Sequence, residues 1–212
     1  MNDSLREHWE TVYATRSEDQ TSWYRPHLDE SLRLIDGLDL DRVTPAIDIG
    51  GGRATLVDDL LARGFTDLAV LDMSQAALDG AAHRLGETAA SIQWQCGDIT
   101  LVDMPPSRYG LWHDRAVFHF LTSASDRARY VATAMRAIRP GGHVIIATFA
   151  GDGPERCSGL HVRRYEAEAL AGEFAPAFER VGESREIHPT PFGTEQPFTY
   201  VVLRRRHDVG KP

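Results

Sequence analysis

Cysteine is scarce: Cys96 and Cys157 are the two in 212 residues. With no C-x-x-C pair they exclude a disulfide framework and a cysteine-built metal centre, and no metal site is expected. No apolar run approaches 18 residues and no secretion signal opens the chain. A soluble, cytoplasmic protein without a membrane partner is expected. Repeats and low-complexity tracts are missing too. Positive charge is in deficit, with 23 Lys and Arg against 31 Asp and Glu, a net charge of −8. That balance disfavours nucleic acid as a partner, although Arg163-Arg164 and Arg204-Arg205-Arg206 are local basic clusters.

What is present reads as a single domain over residues 1–212, with 42% hydrophobic and 25% charged residues, globular values for a chain long enough to bury a substantial core. It is organised around Ala46-Ile47-Asp48-Ile49-Gly50-Gly51-Gly52-Arg53. Ala46 to Ile49 reads as a buried parallel strand, the glycines as a tight turn, and Thr55 to Arg63 as a helix stopped by Gly64. Strand, glycine turn and helix make a nucleotide-binding corner. A dinucleotide rests its pyrophosphate on that helix, where Asp48 would repel it. S-adenosylmethionine carries an ammonium and a sulfonium instead, so an acid there is favourable.

Leu68 to Leu71 is a second buried strand ending at Asp72, about twenty residues beyond the turn, the spacing for a carboxylate that accepts both ribose hydroxyls. Ser91 to Cys96 is a third, followed by Gly97-Asp98-Ile99 at the same sheet edge. Met73 is a candidate lining for the adenine face.

These three motifs resemble the class I S-adenosylmethionine-dependent methyltransferases over residues 43–205. Asp48-Ile49-Gly50-Gly51-Gly52 is similar to their glycine motif, with Ala54 where a further glycine often stands. The resemblance implies Asp72 as the ribose acid, Asp98 as the partner of the adenine amino group and Ile99 as a backbone donor. It implies an α/β Rossmann-like fold: a seven-stranded, mostly parallel sheet with an antiparallel last strand and helices on both faces.

Upstream, residues 1–25 form an aromatic arm carrying Trp9, Tyr13, Trp23 and Tyr24. Either these rings pack the arm onto the domain, or the arm is a lid, as the N-terminal helix is in many members of that class. Trp-Glu-x-Val-Tyr and Ser22-Trp23-Tyr24 resemble the opening of a small bacterial subgroup with thiopurine- and thiol-methylating relatives, and Trp23 joins the expected cofactor contacts. His27 to Leu38 and Ala76 to Leu85 read as helices, the second capped by Ser74.

Tyr109 to Arg115 is the fourth strand, and its tip gathers His113, Asp114 and Arg115, with His119 on an expected following helix. So many titratable groups at one tip point to ligand contact. His119, or His113 with Asp114, is the expected general base for a hydroxyl or amine acceptor, and Asp114 a cofactor contact. Asp126 to Ile138 reads as a helix stopped by Arg139-Pro140-Gly141-Gly142, and His143 to Phe149 as the fifth strand. A polar, glycine-rich loop follows, in which Cys157 is a possible acceptor-site thiol. Tyr165 to Phe174 is a helix, and Phe178 to Ile187 and Phe198 to Arg205 are closing strands separated by Pro189 to Pro197. The expected function is methyl transfer from S-adenosylmethionine to a small-molecule thiol, hydroxyl or amine. The alternatives are a protein lysine methyltransferase and a non-catalytic cofactor-binding module.

Overall fold

The computed structural model describes residues 3–17 and 20–207; the parts of the arm at 1–2 and 18–19 lie outside the described residues. The elements are α1 (Asp3–Thr15), α2 (Asp29–Asp36), β1 (Ala46–Ile49), α3 (Leu56–Ala62), β2 (Leu68–Asp72), α4 (Gln75–Leu85), β3 (Ile92–Cys96) and β4 (Tyr109–Arg115). They continue with α5 (Ala124–Ala137), β5 (Ile138–Phe149), β6 (Arg156–Cys157), β7 (Leu160–His161), α6 (Ala167–Glu173), β8 (Phe178–Pro189) and β9 (Glu195–Arg205). Seven strands form one sheet in the order β3-β2-β1-β4-β5-β9-β8. β1 to β5 pair in parallel, whereas β9 runs antiparallel to β5 and to β8. The expected architecture is therefore present, including the antiparallel last strand.

Strands buried on both faces need apolar cover above and below, and two clusters supply it. One gathers Ile47, Trp112, Phe118, Tyr130, Ile146 and Phe174; the other gathers Leu32, Ile35, Leu56, Val70, Phe149 and Tyr200. Strand order reverses between β1 and β4, which opens a crevice at their carboxyl ends, where open α/β sheets bind ligands.

Local structure departs from the sequence reading in three places. His119 sits in a 3-10 turn, Phe118–Phe120, and α5 begins only at Ala124. The Ser123 hydroxyl sets that start by accepting from the Asp126 amide at 3.1 Å. The Arg139-Pro140-Gly141-Gly142 turn lies inside β5: Ile138 pairs with Tyr109, the register slips, and pairing resumes at Leu111↔His143. Gly141, at φ +77°, absorbs the irregularity. The glycine-rich stretch after β5 contains the β6–β7 hairpin, which turns Cys157 inward. Among the described residues, no helix is long and apolar enough to cross a membrane.

Candidate active site

The floor of the site is the glycine corner. Gly50, at φ +65°, leaves β1 with its α-carbon against β4's exit: a Cβ there would lie 2.0 Å from Val117 Cγ2. Gly52, at φ +48°, passes so close beneath the arm that a Cβ would lie 2.8 Å from the Tyr13 hydroxyl and 3.1 Å from Asp72 Oδ2. Both glycines are required by conformation and by space.

A cavity opens above this floor. Its lower wall holds Ile49, Gly50, Leu71, Asp72, Met73 and Ile99. Its roof is the arm: Trp9 stacks edge-on against Phe120 at 5.2 Å and against Trp23 at 5.6 Å, and Tyr13 meets Trp23 at 6.3 Å. Of the arm's four large aromatics, Tyr24 does not line this cavity; it lines a second one with Asp48, Gly51, Arg53, His113 and Arg115. Tyr13, Trp23, Gly50 and Arg115 belong to both walls and divide the two chambers.

Asp72 ends β2 with its carboxylate almost wholly buried in the main cavity. Its Oδ1 accepts from the Ser74 amide at 2.8 Å. Burial, and then the nearby Asp48 and Glu10 carboxylates, push its pKa up to about 7. A carboxylate so placed gains from hydroxyl donors or a positive charge.

Glu10 is the residue that sequence reasoning missed. It reaches from α1 to the start of α4, accepting from the Gln75 amide (2.7 Å), the Ala76 amide (3.2 Å) and the Ser74 hydroxyl (3.0 Å). It thereby takes up free amides at a helix N-terminus and fastens the roof beside Asp72. Its place on the helical face of Trp9 and Tyr13 was the only signal, and nothing in sequence reveals a partner 65 residues away. Glu10→Ala is expected to lower stability by about 1–2 kcal/mol, the scale of a lost cap. Thermal melting reads this, and S-adenosylhomocysteine affinity is expected to fall several-fold as the roof loosens.

The three side chains expected to do acid–base work are committed elsewhere. His113 stands beside Asp48 in the parallel register, so both point to one sheet face. Its Nδ1 meets Asp48 Oδ1 at 2.6 Å and its Nε2 meets Ser31 Oγ at 2.9 Å, leaving neither ring nitrogen for a substrate. Asp114, one residue on, points to the opposite face and lines neither chamber. It accepts from the Tyr130 hydroxyl (2.6 Å) and from the Val117 amide (2.9 Å), which ties down the turn after β4; burial raises its pKa to about 6. It therefore shapes the loop, away from both chambers.

His119 is fully buried between Phe120 and Phe149, with ring centroids at 4.5 and 4.7 Å. Burial, with Arg115 adding, lowers its pKa to about 3, so the ring is neutral, and it lines neither chamber. His119→Leu is expected to keep methyl transfer within about threefold of the parent, because the buried Nε2 it removes has no hydrogen-bond partner. A severe loss with the fold intact would return His119 to the chemistry.

The other expected contacts divide as follows. Met73, Ile99 and Trp23 line the main cavity, and Asp48 and Gly51 the second. Asp98 sits between two wall residues, Gly97 and Ile99, and its Oδ1 accepts from the Thr100 amide and hydroxyl, each at 2.8 Å. It shapes the turn that presents Ile99. Cys157 does line the main cavity, but burial raises its thiol pKa to about 12, which removes it as a nucleophile.

The comparisons with known proteins agree with this geometry. Residues 46–142 match a family model described as a methyltransferase domain. A ubiquinone biosynthesis O-methyltransferase of Alkalilimnicola ehrlichii is 29% identical over 121 residues, 57% of this chain and 47% of that protein. The match thus spans about half the length of that curated relative. Among solved structures, an S-adenosylmethionine-dependent methyltransferase from Anabaena variabilis superposes with a TM-score of 0.73 at 17% identity, covering 97% of this chain and 96% of its own. A Burkholderia thailandensis 1,6-didemethyltoxoflavin-N1-methyltransferase, with its substrate and S-adenosylhomocysteine bound, gives 0.70 at 20% identity, covering 97% and 88%.

Sheet order and the glycine corner give the chain the fold of these S-adenosylmethionine-dependent methyltransferase structures, and residues 46–142 match a methyltransferase domain. The residues present would suit S-adenosylmethionine: Asp72 would accept two hydroxyls, Asp48 would favour a positive charge, and Leu71, Met73 and Ile99 would form an apolar slot for a purine.

Proposed function

We propose that the chain, as one domain, moves the methyl group of S-adenosylmethionine to a small, flat, largely apolar acceptor whose nucleophilic atom needs no protein base. The observation carrying this reading is the main cavity itself: aromatic rings roof it, and each titratable group on its wall has another role or cannot take up a proton. Asp72 faces the ribose position, Cys157 and Tyr13 are held protonated by burial, and Arg115 is a cation. The N-methyltransferase from Burkholderia, solved with a small heterocyclic substrate, and the ubiquinone O-methyltransferase support a small acceptor.

The cofactor supplies an already activated methyl group on a cationic sulfur. What remains for the protein is alignment and exclusion of water. Alignment of two reactants is worth up to roughly 7–11 kcal/mol. Gly50 lets the backbone approach closely, Asp72 fixes the ribose end, and Asp48 favours the charged end. Trp9, Trp23, Tyr13 and Phe120 hold the acceptor in line and turn π-faces toward the positive sulfur. Thiols, acidic phenols and amines with a free lone pair suit a site of this kind.

Release of S-adenosylhomocysteine across thiols, phenols, amines, carboxylates and intact proteins tests the reading. At saturating cofactor the pH profile of kcat/KM is expected to follow the acceptor's own pKa. Transfer confined to protein acceptors, or a limb between pH 6 and 9 that persists when acceptor pKa is varied, would overturn it.

A further inference from the structure

Arg115 is a cation that the proposed chemistry leaves without a task. It ends β4, and along that strand its side chain falls on the face of His113. That side chain is only 5% exposed, so the guanidinium is all but removed from water. A cation so placed needs strong partners, because an uncompensated buried charge is expensive. The partners it has are of uneven quality. Nε donates to the Tyr200 hydroxyl at 3.0 Å, and one face of the guanidinium lies 4.2 Å from the centre of the Phe198 ring. The outer nitrogens are held more loosely: Nη1 stands 3.5 Å from the Trp23 carbonyl and Nη2 3.4 Å from Glu186 Oε2. Charge-assisted bonds close to about 2.7–2.9 Å, and that Glu186 oxygen already accepts from Tyr200 at 2.9 Å.

We propose that Arg115 is a specificity-determining residue that selects an acceptor carrying a carboxylate: the flat body of the acceptor lies among the aromatic rings of the roof, and its acid group closes on the outer edge of this guanidinium. This deepens the methyltransferase reading above and rests on it.

Two further observations support the assignment. Among the described residues, Arg115 is the one basic side chain on the wall of the main cavity and Asp72 the one carboxylate. They stand at the tips of β4 and β2 with β1 between them, about 10 Å apart at the spacing of paired strands. The two charges therefore mark opposite ends of the cavity, and with the acid given to the ribose the cationic end, beside Trp23, is left for the acceptor. Arg115 also faces the second chamber. There Arg16, Arg25 and Arg53 join it on a wall whose one carboxylate among the described residues, Asp48, is engaged by His113 at 2.6 Å. Arg25 is answered in part by Asp29 at 3.1 Å. Guanidinium groups gathered round one opening, in a chain of net charge −8, draw anions in and hold an ammonium off. The planar fork suits a carboxylate, which it meets through two parallel N–H···O bonds.

Calorimetry on the full chain saturated with S-adenosylhomocysteine tests this, with 3,4-dihydroxybenzoate, 4-mercaptobenzoate and their methyl esters as probes. Each acid is expected to bind at least tenfold more tightly than its ester. Arg115→Met is expected to bring acid and ester within twofold, and Arg115→Lys, which keeps the charge without the fork, to retain part of the preference. Should Arg115→Met not fold, Glu186→Gln is added to remove the stranded carboxylate, and should that fail Arg115→Lys decides alone. Acids and esters that bind the parent equally, or binding of neither, overturn the proposal, and so does a preference that survives intact in the variant. A variant that weakens S-adenosylhomocysteine, spares 5′-methylthioadenosine and keeps the acid preference assigns Arg115 to the amino-acid end of the cofactor and overturns it too. A parent that binds no S-adenosylhomocysteine refutes the methyltransferase reading and this one with it. A parent that binds it and methylates the esters in preference to the acids refutes this one only.

Discussion

Replacing Asp72 by alanine is expected to weaken S-adenosylmethionine binding by about 1.5–3 kcal/mol, the scale of hydrogen bonds to a charged group and equivalent to roughly 10- to 150-fold in Kd. The carboxylate stands at the tip of β2, buried in the main cavity, with the Ser74 amide fixing its orientation. Its pKa of about 7, raised by burial and then by Asp48 and Glu10, lets stability and binding be told apart. Between the ordinary carboxylate range and pH 7 the folded chain holds a proton that the unfolded chain has released. This group's contribution to stability therefore falls as pH rises through that window and is flat above it. Asp72→Asn removes the buried charge, so thermal melts at pH 8 are expected to show it more stable than the parent while it binds cofactor more weakly. Opposite signs for stability and affinity mark a functional acid. A cationic cofactor that favours ionised Asp72 also expels a proton on binding near pH 7 and none near pH 8.5, which calorimetry in buffers of different ionisation enthalpy measures. Unchanged affinity in Asp72→Ala would place the ribose elsewhere.

The second large effect concerns the roof. Trp9→Ala combined with Trp23→Ala is expected to lower kcat/KM for the acceptor about 100-fold, close to 2.7 kcal/mol of transition-state stabilisation. Each ring excludes water and, well placed, attracts the sulfonium by roughly 0.5–2 kcal/mol. S-adenosylhomocysteine affinity is expected to change less than fivefold, since Asp48, Asp72 and the glycine corner remain. The two rings touch one another and Phe120, so single variants will not sum to the double. Deleting the whole arm is a different experiment, because it removes Glu10 from α4 and cofactor affinity falls as well. Normal turnover in the double variant would make the aromatics plain packing.

Elements with strong local signals were legible in the sequence. The apolar runs at 46–49 and 68–71 became β1 and β2, and Ser74 caps α4 with its hydroxyl accepting from the Ala77 amide at 3.1 Å. The catalytic assignment was not legible, for a geometric reason. Along a strand, side chains alternate between faces, so His113 and Asp114 cannot both serve one site. His113 went to Asp48 and Asp114 to Tyr130. His119 was read onto a helix facing the tip, but the 3-10 turn Phe118–Phe120 aims it into the apolar layer beside Phe149. Partners brought in by tertiary packing, such as Glu10 for α4 and Tyr200 for Arg115, leave no mark on local sequence at all.

The Glu10 clasp has a consequence for the rhythm of turnover. Roof and floor belong to separate pieces of chain, held together at this corner by one carboxylate on one helix end. If nucleoside exchanges on this side of the cavity, that contact has to be unfastened, and a catalytic cycle would then include one opening and one closing of α1. Where that motion is slower than the methyl transfer itself, the pace of the enzyme is set by a hinge and responds to solvent viscosity more than to the nature of the acceptor.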